Sequence, residues 1–332
     1  MKKFLNNPEN IMDETIVGYV LSNQKRLSLP EGSRNIIRRN PKQKGKVKLV
    51  VGNGGGHEPG LMGWVGLGMY DLDCLGDVFT AQSGKVFFEG IKSTYDESPI
   101  LLTIANHSGD VVNGNIAFSM CKKENMDVEK VVFYDDVASA PKGEEEERRG
   151  ISGIMFSVKC AGAVAEEGGS LSECLRVFKK ARDNVRTVAL AMTSCTHPLT
   201  GLIMMKTADD EVNVGAGVHG EGGSDNVKFA PSYKLMKIAC DKLIEDLPYI
   251  AGDEVCVLIN GMGSTSMMEL SIAYQDVCKY LASKDINVYD GVAGNFVTTQ
   301  EMGGLSLSFM KLDGELKKYW DAPCSTPAYS NV

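Results

Sequence analysis

Histidine is scarce in this chain: four occur in 332 residues. Several common signatures are missing altogether. The nine cysteines are odd in number and form no C-x-x-C pair, so neither a disulfide framework nor a cysteine-based zinc site is expected. Val255-Cys256-Val257 and Ile238-Ala239-Cys240 set thiols among apolar neighbours, as reduced core residues. Positive charge is in deficit. A formal net charge of −8 and a pI near 5.2 argue against nucleic acid as the main partner. No apolar run is long enough to span a bilayer. The opening Met1-Lys2-Lys3-Phe4-Leu5-Asn6-Asn7-Pro8 turns polar too early for a secretory signal. A cytoplasmic protein with no membrane partner is the resulting expectation.

Phosphate-binding loops are missing where they would be looked for first. No G-x-x-x-x-G-K-[ST] string exists, and from Gly52 and Gly54 the last position of a G-x-G-x-x-G fingerprint is His57. Gly261-Met262-Gly263-Ser264-Thr265-Ser266 follows an apolar run but lacks the lysine. The chain is therefore expected to bind no ATP or NAD of its own.

What is present is 43% hydrophobic and 23% charged, enough to bury a real core. Short apolar runs alternate with helical patterns, the rhythm of an α/β fold. Strands are predicted at 47–51, 100–104, 130–134, 187–192, 255–259, 286–289 and 305–312. Helices are predicted at 10–23, 151–166, 172–184, 232–247 and 266–283. Ser170 with Glu173 three residues on reads as a capping box before the helix at 172. In the run 305–312, Leu305, Leu307 and Phe309 alternate with Ser306 and Ser308, predicting one more polar face. Two domains are expected, 1–188 and 189–332, each a mixed β-sheet flanked by helices, with a ligand site near the cleft between them.

Two histidines sit in glycine clusters behind apolar runs. Val47-Lys48-Leu49-Val50-Val51 leads into Gly52-Asn53-Gly54-Gly55-Gly56-His57-Glu58-Pro59, and Val214-Gly215-Ala216-Gly217-Val218 leads into His219-Gly220-Glu221-Gly222-Gly223. Glycine brings main-chain N–H groups close to a ligand, and imidazole can act as base, nucleophile or ligand. The alternative is that these glycines serve tight turns alone. Asp110, in Asn106-His107-Ser108-Gly109-Asp110 after the run 100–104, is a candidate general base or else a turn and helix-start acid. His57-Glu58 and His219-x-Glu221 lack an H-E-x-x-H or C-x-x-C companion, so no metal is expected. The H-x-E at His219 likewise lacks the P-C-x-x-C half of a zinc deaminase. His197, before Pro198, reads as structural, and the run Glu144 to Arg149 as a solvated segment.

Residues 52–59, Gly109-Asp110, Arg148-Arg149-Gly150, residues 214–221, residues 260–270 and Trp320-Asp321-Ala322-Pro323 together resemble the K subunit of dihydroxyacetone kinase. The resemblance runs through essentially the whole chain in order. It implies a homodimer of two-domain subunits that holds a short-chain ketose. A separate L subunit would carry the ATP or ADP, in keeping with the missing nucleotide loop. Carried over by position, His219 would attack the ketone and form a hemiaminal. Asp110 would take the proton of the terminal hydroxyl, His57 would orient the substrate and share acid–base work, and Gly54, Gly55 and Gly56 would contact it through their backbone.

One departure stands out. Many members of the family carry Lys-Asn-Tyr where this chain has Ala105-Asn106-His107, which points to an altered preference such as a four-carbon ketose, for example erythrulose. Two further readings compete with a kinase subunit. Some relatives are ketose-binding co-activators of a transcriptional regulator, and His219 in a glycine loop would also suit a phosphohistidine carrier.

Overall fold

The computed structural model describes residues 2–223 and 225–331. The chain divides into two compact units, each drawn from more than one stretch of sequence. The first comprises Met1–Phe133, Ser157–Lys180 and Leu316–Val332; the second comprises Tyr134–Phe156 and Ala181–Glu315. Among the described residues no helix is long and apolar enough to cross a membrane.

In the first unit, strands β1 (Leu27–Ser28), β2 (Asn35–Arg38), β3 (Lys48–Gly55), β4 (Leu72–Val78), β5 (Ile100–Ala105) and β6 (Val128–Phe133) form one sheet in the order β1-β2-β4-β3-β5-β6. β4, β3, β5 and β6 run parallel, and β2 and β1 extend the sheet antiparallel. Leu49, Val50, Val51, Leu101 and Leu102 are buried whichever face they present, as interior parallel strands require. The unit's first segment adds helices α1 (Ile11–Ser22), α2 (Gly84–Ser93) and α3 (Ser108–Lys123). Phe87, Phe88 and Ile91 of α2 join Ala117 and Cys121 of α3 against Val50, Leu102 and Ile104 of the sheet. Gly114 lets α3 lie close, since a Cβ there would stand 2.7 Å from Ile104 Cδ1.

Helices α4 (Ile154–Glu167) and α5 (Leu171–Asp183) follow. The predicted capping box opens α5: Glu173 N–H donates to Ser170 Oγ at 3.3 Å and Ser170 N–H to Glu173 Oε2 at 3.0 Å.

The second unit has strands β7 (Val185–Ala191), β8 (Glu211–Val214), β9 (Asp225–Lys228), β10 (Glu254–Gly261), β11 (Asn287–Gly294) and β12 (Gly304–Lys311), in the order β11-β10-β12-β7-β8-β9. β10 and β11 run parallel and the other neighbours antiparallel. Helices α6 (Ser232–Asp246) and α7 (Met267–Ala282) supply Leu235, Ala239, Leu243, Leu270 and Val277 to a core with Val188, Val257, Leu307 and Phe309. Helix α8 (Gly314–Asp321) precedes a short antiparallel pair, β13 (Cys324–Ser325) and β14 (Ser330–Asn331). In the first unit's last segment Trp320 is fully buried, and Tyr319 carbonyl accepts the buried Lys159 Nζ at 2.7 Å. Two mixed sheets flanked by helices make this the α/β fold that the alternating pattern predicts.

The more polar face of β12 lies inside the unit: Ser306 and Ser308 are buried, and their hydroxyls bond Ser152 Oγ at 2.8 Å and Thr187 Oγ1 at 2.7 Å. One expectation differs from the structure. The single boundary at 188/189 falls inside β7, which pairs along its length with β12. Residues 134–156 cluster with β7 because the two strands of chain exchange backbone bonds. Thr187 N–H donates to Asp135 carbonyl at 2.9 Å and Val137 N–H to Thr187 carbonyl at 3.0 Å.

Candidate active site

In the first unit the residues singled out by sequence gather at the carboxyl ends of parallel strands, where open α/β sheets bind ligands. β3 ends in Gly54 and Gly55, with Gly56 and His57 directly after. Packing requires glycine here whatever the ligand. A Cβ at Gly54 would lie 2.8 Å from Thr80 N, one at Gly55 would overlap the Met12 thioether, and Gly56 has φ +96°. The turn is tied by Gly56 N–H donating to Glu58 Oε1 at 2.8 Å. The half-buried His57 ring packs against Phe79 with centroids 5.3 Å apart.

Asp110 is the third residue of α3, in the first turn, where exposed N–H groups favour an anion. It does not cap the helix; the N-cap position is His107. His107 N–H reaches back to Ala105 carbonyl at 2.8 Å, fixing the exit from β5.

Asp73 lies on β4 beside β3, in a stretch for which the sequence pattern predicts no strand. It is fully buried. Burial pushes its carboxyl well above the usual carboxylate range, a hydrogen bond from Asn53 opposes that, and the charge of Asp110 adds to it. Asn53 Nδ2 donates to Asp73 Oδ2 at 3.4 Å.

In the second unit β8 runs straight into the other glycine loop. Gly215 N–H donates to Ala189 carbonyl at 2.7 Å, Gly217 N–H to Glu221 carbonyl at 2.9 Å, and Gly223 N–H to Asn213 Oδ1 at 2.8 Å. Gly220 has φ +77° and leaves room for Met204. His219, with 26% of its side chain exposed, is bound twice by one carboxylate. Its N–H donates to Glu221 Oε2 at 2.9 Å, and its Nδ1 lies 3.3 Å from Glu221 Oε1. Although burial opposes it, the His219 side chain and the local N–H groups hold the Glu221 carboxyl down at about 2.

Arg149 supports this loop. It pairs with the buried Asp136 at 2.6 Å and donates to Gly215 carbonyl at 2.7 Å. A side chain at Gly217 would collide with both Glu221 and Arg149, so the three crowd together. The Glu two residues after His219 was the available signal for this arrangement; sequence reading had weighed it only as a metal ligand.

Gly215-Ala216-Gly217-Val218-His219-Gly220 also has the spacing G-x-G-x-x-G. The loop leads into strand β9 and not into a helix, so the context of a dinucleotide fingerprint is missing. His197 Nδ1 accepts from Leu199 N–H at 3.3 Å and Thr200 N–H at 3.4 Å, a turn-holding role.

Comparison with known proteins gives these residues a family. Residues 17–328 match the Dak1 domain. The dihydroxyacetone-binding subunit of a PTS-dependent dihydroxyacetone kinase of Listeria innocua is 37% identical over 315 residues, 95% of each chain. A D-erythrulose kinase of Mycolicibacterium smegmatis is 33% identical over 330 residues, 99% of this chain and 56% of that one. The crystal structure of the dihydroxyacetone kinase of C. freundii in complex with AMP-PNP and Mg2+ overlays with a TM-score of 0.91 at 26% identity. That overlay covers 99% of this chain and 61% of the other, so this chain spans about three fifths of the two longer kinases. The described fold, the two glycine loops and these matches lead to one conclusion: the chain belongs to the Dak1 domain family.

Proposed function

We propose that this chain is the ketose-binding subunit of a dihydroxyacetone-type kinase and that His219 holds the substrate covalently. The observation that carries the reading is the double grip of Glu221 on His219, which takes the backbone N–H and engages Nδ1, the tautomer in which Nε2 is the ring's nucleophilic atom. Nε2 adds to the ketone carbon, the C=O π pair moves to oxygen, and the proton given up at Nδ1 ends on that oxygen. The product is a neutral hemiaminal. A polyol such as glycerol has no carbonyl and cannot be held this way.

Asp110 then takes the proton of the terminal hydroxyl as its oxygen attacks phosphorus. His57 orients the same substrate and shares the acid–base work, with the backbone of Gly54, Gly55 and Gly56 in contact. Neither glycine loop has the context of a phosphate cradle. The nucleotide is therefore assigned to a separate L subunit. There the γ-phosphoryl group of ATP passes to the substrate oxygen as its bond to the β-phosphate breaks and ADP remains, a bound ADP having first to be rephosphorylated by another donor. The working assembly is assigned to a homodimer with that partner.

The test uses dihydroxyacetone labelled with 13C at the carbonyl. The expected result is a carbon signal that moves from the ketone to the tetrahedral region on mixing with the full chain and stays put with His219→Ala. Phosphorylated product should form only when an L subunit and nucleotide are added. A signal unchanged in the wild type overturns the hemiaminal. Binding without turnover, with L subunit present, would leave a ligand-sensing protein, and stable label on histidine from a phosphoryl donor a carrier.

A further inference from the structure

The first unit contains a polar pair that none of the steps above uses. Across the parallel ladder Val51 stands level with Asp73 on β4 and with Thr103 on β5, and Asn53 stands level with Leu75. Level residues of adjacent parallel strands present their side chains to the same face. Val51, Asn53, Asp73, Thr103 and Ala105 therefore share a face. Gly52 and Gly54 present the other, where a Cβ would stand 2.8 Å from Phe87 and from Thr80 respectively.

On the shared face Thr103 has a partner, Tyr70 Oη at 2.8 Å. Asp73 and Asn53 are only half served. Beyond their mutual bond, Asp73 Oδ1 and Asn53 Oδ1 are both buried with no hydrogen-bond partner. A buried polar atom left so is costly, and such atoms are rare in folded proteins. Asn53 is the half-buried member and immediately precedes the Gly54–Gly55–Gly56 backbone. Two residues beyond Thr103, Ala105 contributes only a methyl group. The arrangement is a buried acceptor without a donor.

We propose that Asn53 Oδ1, held in place by Asp73, accepts a hydroxyl of the bound ketose and so selects a four-carbon ketose over dihydroxyacetone. The inference rests on the ketose-binding reading above and goes further by naming the substrate class. Counting hydroxyls decides the size. Dihydroxyacetone has two, which Asp110 and His57 engage, whereas a four-carbon ketose such as erythrulose has a third for Asn53. Asp73 is the positioning residue: by accepting Asn53 Nδ2–H it turns the amide so that oxygen faces the ligand. Burial and the charge of Asp110 both push its carboxyl above the usual carboxylate range, while the Asn53 hydrogen bond opposes them.

The experiment is calorimetric titration of the full chain with dihydroxyacetone and with erythrulose. Wild type should bind erythrulose more tightly. Asn53→Ala should weaken erythrulose by about fivefold or more, the worth of one hydrogen bond, and leave dihydroxyacetone within twofold. Asp73→Ala should reproduce that loss, and Asp73→Asn, which keeps an accepting oxygen, should largely restore discrimination. Retained dihydroxyacetone binding shows that each variant is folded, and if Asp73→Ala is not, the half-buried Asn53→Ala decides alone. A wild type that prefers dihydroxyacetone, or an Asn53→Ala that weakens both ketoses equally, overturns the selection. Binding of neither ketose by wild type would instead bring down the ketose-binding reading itself.

Discussion

At the scale of single residues, the roles of His219 and Glu221 separate by chemistry. An imidazole that is to attack through Nε2 must have its other nitrogen engaged, and the carboxylate two residues on does this while also taking the His219 N–H. Removing that carboxylate frees the ring to rotate. Glu221→Ala should lower hemiaminal formation by about tenfold, since a hydrogen bond to a charged group contributes about 1.5 kcal/mol or more. The lower end of that range applies because 41% of the Glu221 side chain is exposed. Glu221→Gln, which retains an accepting oxygen, should recover part of the loss. The readout is the 13C hemiaminal signal as a function of ketose concentration, with thermal unfolding as the control. Equal loss in both variants would make the carboxylate's charge, and not its geometry, the operative feature.

Elements show how local chemistry and tertiary context divide the work. The Ser170–Glu173 box was readable because a cap is decided within four residues, and it opens α5 as expected. β4 was not readable: Asp73, Gly76 and Asp77 interrupt its apolar run, and pairing with β3 on one side and β2 on the other makes a strand of them. α3 was hidden similarly by Gly109 and Gly114, the second of which is needed for close packing on Ile104. The glycine loops themselves were legible as places, while the carboxylates that tune them, Glu221 and Asp73, take their meaning from partners in space.

The same applies to Asp135, which ties residues 134–156 together. Its Oδ1 accepts Ile151 N–H at 2.7 Å and its Oδ2 accepts Gly153 N–H at 2.9 Å. Burial, opposed by Thr187 and those N–H donors and reinforced by the charge of Asp136, pushes its carboxyl up to about 7. The folded chain thus holds a proton that the unfolded chain, with an ordinary carboxyl near about 4, has already lost. Stability from this group is complete below about pH 4 and is lost as pH rises toward 7. Urea unfolding midpoints should therefore fall between about pH 4 and pH 7 on account of Asp135. Asp135→Asn should be less stable at pH 5, having lost one acceptor, yet show a flatter dependence. An unchanged slope in the variant would assign the pH dependence to other groups.

At the scale of the whole chain, composition told a reader that a core could be buried but not how it would be divided. Residues 134–156 carry no mark of belonging with β7, and nothing in residues 316–331 announces that they belong with the first unit. Both assignments arise from long-range contacts: Thr187 with Asp135 and Val137 through the backbone, and Lys159 with Tyr319 carbonyl. Cutting the chain at 188 should expose the consequence. Fragment 1–188 would lack Trp320 and the partner of Lys159, a buried amine whose pKa is already lowered by desolvation. Fragment 189–332 would lack most of β7, leaving β12 and β8 without the strand that joins them. Neither fragment alone should give dispersed amide proton spectra. Co-expressed, they should recover an ordered complex only if the contacts across the cut are sufficient to replace chain connectivity. A well-dispersed spectrum from 1–188 by itself would show that its core is complete without residues 316–331, contrary to the burial of Trp320 and Lys159 found here.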